Sequence, residues 1–129
     1  MKKITILFTL LMVFALTVSA QKTAQIKFDK TSHNFGTFST KNAVQKCTFT
    51  FTNVGDAPLV IHQAIASCGC TVPAYTKTPI APGAKGKVDV TFNGNGRFDK
   101  HIKKVITVYT NGTPETVRLT IEGDMVDEK

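Results

Sequence analysis

The chain has 129 residues, with 16 Lys or Arg against 9 Asp or Glu, three Cys and no Trp. That length holds one domain with a modest core once a leader is set aside. The basic residues are spread along the chain, and beyond residue 3 only Lys103-Lys104 are adjacent; such scatter argues against a nucleic-acid face.

Residues 1–20 have the pattern of a secretory signal peptide. Lys2 and Lys3 precede an apolar run from Ile4 to Val18, and Val18-Ser19-Ala20 supplies small residues for cleavage before Gln21. The run is shorter than the ~20 residues of a spanning helix, so no integral membrane span is expected after cleavage. Residues 21–129 are expected to form a single domain in the periplasm or outside the cell. That setting is oxidising, and an odd number of cysteines leaves one over after any single bridge.

Along the chain the repeating signal has a period of two. Ile26 to Phe28, with His33 to Phe38, reads as a broken first strand. Cys47, Phe49 and Phe51 alternate with Lys46, Thr48, Thr50 and Thr52, which puts the apolar set on one face of a strand. Asn53-Val54-Gly55-Asp56-Ala57-Pro58 then breaks the pattern, since Pro58 lacks a donor and Gly55 offers positive φ. Leu59-Val60-Ile61 starts a strand that runs towards Ala66. Pro82-Gly83 is a turn, and Val88, Val90 and Phe92 alternate after it. Ile102 to Thr110 is β-branched on both faces and reads as a central strand. Asn111-Gly112 reads as a tight hairpin turn into Val117, Leu119 and Ile121. The polar tail, Asp124 to Lys129, is expected to fray.

These segments add up to an all-β chain, an antiparallel β-sandwich of about seven short strands. Its expected core includes Phe35, Phe38, Phe49, Phe51, Ile61, Val88, Phe92, Ile106, Val108, Val117, Leu119 and Ile121.

Ser67-Cys68-Gly69-Cys70-Thr71 sits between two strand segments, and four readings of it stand open. The thiols can be small buried residues. Cys68 and Cys70 can bond to each other, with Gly69 relaxing the ring. Either can bridge to Cys47. Or the pair can capture a soft metal such as Cu(I) or Zn, with His62 as the nearest imidazole. A register argument weighs on the third. If Phe51 and Leu59 pair around Gly55, Cys47 falls opposite Gln63, with Cys68 roughly 16 Å further on. Parity instead points Cys47 into the core. His33 and His101, the other imidazoles, are read as structural or solvated.

The order of motifs carries a resemblance. His33-Asn34-Phe35-Gly36-Thr37-Phe38 is followed by Phe49-Thr50-Phe51-Thr52-Asn53-Val54-Gly55-Asp56-Ala57-Pro58-Leu59-Val60-Ile61, then by Ser67-Cys68-Gly69-Cys70-Thr71, Ile80-Ala81-Pro82-Gly83 and Ile106-Thr107-Val108-Tyr109-Thr110-Asn111. From about Ile26 to Gly123 the chain resembles an exported bacterial family, domain of unknown function 1573, itself similar to immunoglobulin-like sandwiches of the ASH and major-sperm-protein type. The resemblance implies a fold and an exported location. It carries no activity, and Cys68 and Cys70, unlike Cys47, match its pattern.

No catalytic set, phosphate loop or nucleophile elbow occurs. The chain is therefore expected to be a non-enzymatic exported module without a cofactor, binding a protein partner through a sheet edge or serving as envelope scaffold. The alternative is a redox or Cu/Zn-handling protein acting through Cys68 and Cys70.

Overall fold

The computed structural model describes residues 22–96 and 100–127. The leader and its cleavage site, 1–20, lie outside the described residues. Eight strands follow in order: β1 Ile26–Phe28, β2 Ser32–Ser39, β3 Val44–Asn53, β4 Ile61–Ala66, β5 Thr71–Tyr75, β6 Lys85–Asn93, β7 His101–Thr110 and β8 Thr116–Val126. They form two four-stranded sheets, ordered β1-β3-β6-β5 and β2-β8-β7-β4. Among the described residues no helix is long and apolar enough to cross a membrane.

Period-two alternation builds the interior. In β3 and β6 every second residue turns inward, placing Phe49, Phe51, Val88 and Phe92 in the core without measurable exposure. Ile106, Val108, Leu119 and Ile121 meet them from β7 and β8. Each large apolar side chain buried this fully contributes about 1.5–3 kcal/mol. Phe35 and Val117, expected in the core, are only partly buried at its margin. The opposite face of β1-β3-β6-β5 gathers Lys27, Lys46, Lys85 and Lys87, so side chains distant in sequence share one surface.

Several sequence expectations change. The broken first strand is two strands in different sheets, which raises the count to eight. β2 pairs with β8 in parallel, with a register shift between Asn34 and Thr37, so the second sheet is mixed. Gly36 supplies a φ of +72° there and takes the Asn34 side chain on its N–H. β3 and β4 are not a hairpin: β3 pairs with β1 and β6, while β4 pairs with β7 across the sandwich. The link between them crosses from one sheet to the other, so a pairing register around Gly55 does not exist.

Gly55 does not supply positive φ either. A Cβ at that position would collide with the backbone of Thr23 to Gln25, so the need is for close approach. The β7–β8 link does reverse the chain, but neither Asn111 nor Gly112 has positive φ. Asn111 instead acts as a clamp: its Oδ1 accepts from Val60 N–H (2.8 Å) and its Nδ2 donates to Pro58 O (3.2 Å). The tail is ordered further than expected. β8 runs to Val126, because Met125 pairs with Phe38 and is buried.

Candidate functional site

The Ser67–Cys70 turn joins β4, an outermost strand of one sheet, to β5, an outermost strand of the other. Cys68 and Cys70 are disulfide-bonded, with Cα atoms 5.3 Å apart. Cys70 N–H donates to Cys68 Sγ (3.2 Å), and Thr71 N–H donates to Cys68 O (3.3 Å). Cys70 is buried with the core, whereas Cys68 is partly exposed. Gly69 is needed neither for φ nor for space, since a Cβ there meets nothing within 4 Å.

Cys47 is free. It lies opposite Val90 of β6, and Pro73 of β5 lies opposite the same residue from the other side. Two strand spacings, ~9.6 Å, therefore part Cys47 from the nearest residue of β5. A disulfide needs Cα atoms within about 7 Å. Cys47 faces the core as parity implies but is only half-buried. Burial pushes its thiol pKa up to about 11, against the opposing pull of Lys30 and with a further push from Asp89.

The imidazoles stay apart. His62 stands exposed at the far end of β4 from the cysteines, ~20 Å along the strand. His33 packs edge-on against Phe35 with its Nδ1 2.8 Å from Lys30 Nζ. Burial and then the Lys30 charge lower its pKa. His101 bonds Asp124 at 2.9 Å. Among the described residues no three His, Cys, Asp or Glu side chains gather as a metal site would require.

The backbone of the two joined strands is more informative. Both ends of the β4–β5 pair are fixed. At one end is the disulfide turn. At the other, Leu59 before β4 and Ile80 after β5 exchange both backbone hydrogen bonds at 2.8 Å. Asn53, fully buried, ties that end down. Its Nδ2 donates to Ile80 O and Ala57 O, and its Oδ1 accepts from Gly55 N–H and Gln25 N–H.

Between the clamps the two strands differ. Antiparallel neighbours exchange hydrogen bonds at alternate residues, and the residues between aim their groups the other way. On β5, Cys70 O accepts from Asn93 N–H, and Thr76 N–H donates to Lys87 O. Thr71, Pro73 and Tyr75 therefore face the open side. Thr71 N–H is already held by Cys68 O, and Pro73 has none, so of the three outward residues only Tyr75 keeps a donor. On β4, Ser67 N–H donates to Val105 O, which directs Ile65 and Gln63 to β7 and aims the N–H and C=O of Ala64 and Ala66 outward. His62 O takes the Tyr75 hydroxyl (3.4 Å). Tyr75 is thus the inward-turned last residue of β5. Tyr109 is the aromatic that stands 40% exposed on the outer face, on the strand beside Ile65 at 45%.

The other two outermost strands are β1 and β2. Ile26 N–H of β1 donates to Thr113 O, and β2 is broken by its bulge. Sequence reasoning passed over Ala64, Ala66 and Pro73. The available signals were a strand without Lys, Arg, Asp or Glu at 61–66 and a proline inside an alternating one.

A family model described as a protein of unknown function, DUF1573, matches residues 26–125. The chain belongs to that family. No match was found among curated proteins. Among solved structures, this DUF1573 chain is similar to a protein of unknown function from Porphyromonas gingivalis W83, with a TM-score of 0.69 and 18% identity over 84% of this chain; it spans 50% of that protein. It is also similar to the ASH/PapD-like domain 7 of human CEP192, at TM-score 0.65 and 12% identity, covering 88% of this chain and 93% of that domain. The periplasmic chaperone SfaE matches at TM-score 0.58 and 9% identity, over 78% of this chain and 59% of its own. At such identities the likeness is one of fold, an immunoglobulin-like sandwich of PapD type.

Proposed function

We propose that this DUF1573 chain is an exported, non-enzymatic module that accepts an extended segment of a protein partner along β4. One observation carries the reading: β4 is an outermost strand with two successive outward residues, Ala64 and Ala66, whose N–H and C=O groups are all left to pair. A strand laid there gains main-chain hydrogen bonds, with specificity from side chains that alternate across it. The outer face beside it offers exposed Ile65 and Tyr109 for apolar contact. The periplasmic chaperone among the fold neighbours agrees with a binding role in the periplasm.

The experiment is site-specific photocrosslinking in the exporting cell. A benzophenone side chain at Gln63 is expected to trap protein adducts, and one at Thr50, on the outer face of the other sheet, is not. Ala64→Pro removes the outward donor while leaving the β7 ladder intact, and the adducts should disappear. Adducts equally strong at Thr50, or unaffected by Ala64→Pro, would refute strand addition at β4.

A second reading rests on the turn. Cys70 N–H on Cys68 Sγ would stabilise a thiolate at the more exposed sulfur after reduction. In that reading a dithiol reductant gives up two electrons and two protons and becomes a disulfide; one proton goes to Cys70 and the other to solvent, leaving Cys68 as the thiolate. Titration in thiol buffers tests it: a pair that stays oxidised under strongly reducing conditions rules it out.

A further inference from the structure

We infer that a second copy of this chain occupies the β4 edge, with β4 pairing antiparallel to β4 about a two-fold axis at Ile65. The inference rests on the edge reading above and names an occupant for the same surface.

The backbone of β4 is self-complementary. Ala64 and Ala66 flank Ile65 symmetrically, and both aim their polar groups outward. An antiparallel copy centred on Ile65 sets Ala64 opposite Ala66 of the second copy and Ala66 opposite its Ala64. Each of these pairs exchanges both N–H···O bonds. A centre shifted towards His62 runs into the Tyr75 hydroxyl already on His62 O. The contact uses the same patch on both copies and therefore closes as a dimer. The two sheets become one, ordered β2-β8-β7-β4-β4-β7-β8-β2.

The side chains agree with that register. Ala64 and Ala66 project only methyl groups towards the core side, so nothing bulky holds the strands apart. On the outer face Ile65 meets Ile65 of the second copy, with Cβ atoms ~5 Å apart. Ile65 is 45% exposed in the single chain, and pairing removes apolar surface from water there.

Charge agrees as well. The whole chain is basic, at +7, yet Ile61–Ala66 contains no Lys, Arg, Asp or Glu. The outward neighbours on β7, Val105, Thr107 and Tyr109, are uncharged too. Lysines on edge strands are a common device against such pairing, and β4 has none. One strand pair is smaller than a standard interface of about 1,600 Å², so the dimer forms reversibly and with concentration.

Sedimentation of the purified protein from micromolar to millimolar concentration tests this. The average mass should rise from one chain to two. Ile65→Lys sets two ammonium groups face to face at the axis and should weaken association at least about tenfold. Val72→Lys, at the most exposed apolar residue of β5, should leave it unchanged. Ile65 is a surface position, so its variant reports on pairing even if Ala64→Pro fails to fold. A monomer at every concentration overturns the inference, as does a dimer indifferent to Ile65→Lys. If the protein is monomeric but crosslinks from Gln63 capture a different protein, the dimer fails while strand addition stands. Absence of any adduct at β4 removes strand addition itself.

Discussion

β4 and β5 share a turn, a disulfide and a terminal clamp, and each ends its sheet. They differ in what their outward backbone groups can do. β5 has Pro73 where a donor would face out, and Thr71 N–H is already bonded. β4 has alanines whose donors and acceptors are free to pair. Two strands of similar length and burial thus differ in the donors they present outward, since β5 has one missing at Pro73 and one occupied at Thr71. Position decides the effect: a proline at 72 or 74 would instead break a ladder bond to Thr91 or Asp89.

The largest predicted effect loosens both strands together. Asn53→Ala leaves the part-buried Gly55 N–H, Gln25 N–H and Ala57 C=O without their partner, and should cost about 2–4 kcal/mol in urea unfolding. A loss below about 1 kcal/mol would mean that water replaces the amide. Replacing Cys68 and Cys70 by alanine releases the other end. Because the closed loop is very short, the loss should be only about 1–2 kcal/mol. A reductant should lower the wild-type Tm in the same direction and leave the double variant unmoved. Moving the proline tests the contrast itself. Ala64→Pro with Pro73→Ala should change stability by less than about 1 kcal/mol. It should also transfer crosslinking from β4 to β5; adducts that remain at β4 would show that side chains, not edge donors, select the strand.

The smallest effect concerns Cys47, which lies on β3 away from both edges. Its thiol titrates at about 11 in the folded chain, against ~8.5 in an unfolded one. Between those values the unfolded chain has released a proton that the folded chain keeps. Stability therefore falls as pH rises through that window, and Cys47→Val should flatten the slope. Alkylation of folded protein should be slow near neutral pH and accelerate towards pH 11.

The strands were legible because alternation in residues such as Phe49 and Phe51, or Leu119 and Ile121, reports directly which face is buried. Period two does not report which strand lies alongside. That is why Phe51 and Leu59 suggested a hairpin when the chain in fact crosses between sheets. Asn53 and Gly55 looked like turn residues, yet one is a buried hydrogen-bond hub and the other a point of close backbone approach. Neither role leaves a local signature, since each depends on segments distant in sequence. The motif Ser67-Cys68-Gly69-Cys70-Thr71 is a disulfide-bonded turn between two outermost strands, a placement that depends on its neighbours and not on its own residues. It joins the guarded edge to the open one.

Amide hydrogen exchange, followed residue by residue on dilute protein, tests the open β4 edge most directly. Ala64 and Ala66 should exchange orders of magnitude faster than Gln63 and Ile65, whose N–H groups face β7. At high concentration, Ala64 and Ala66 should become protected. Equal protection of all four in dilute solution, or fast exchange at Gln63 and Ile65 instead, would contradict the account.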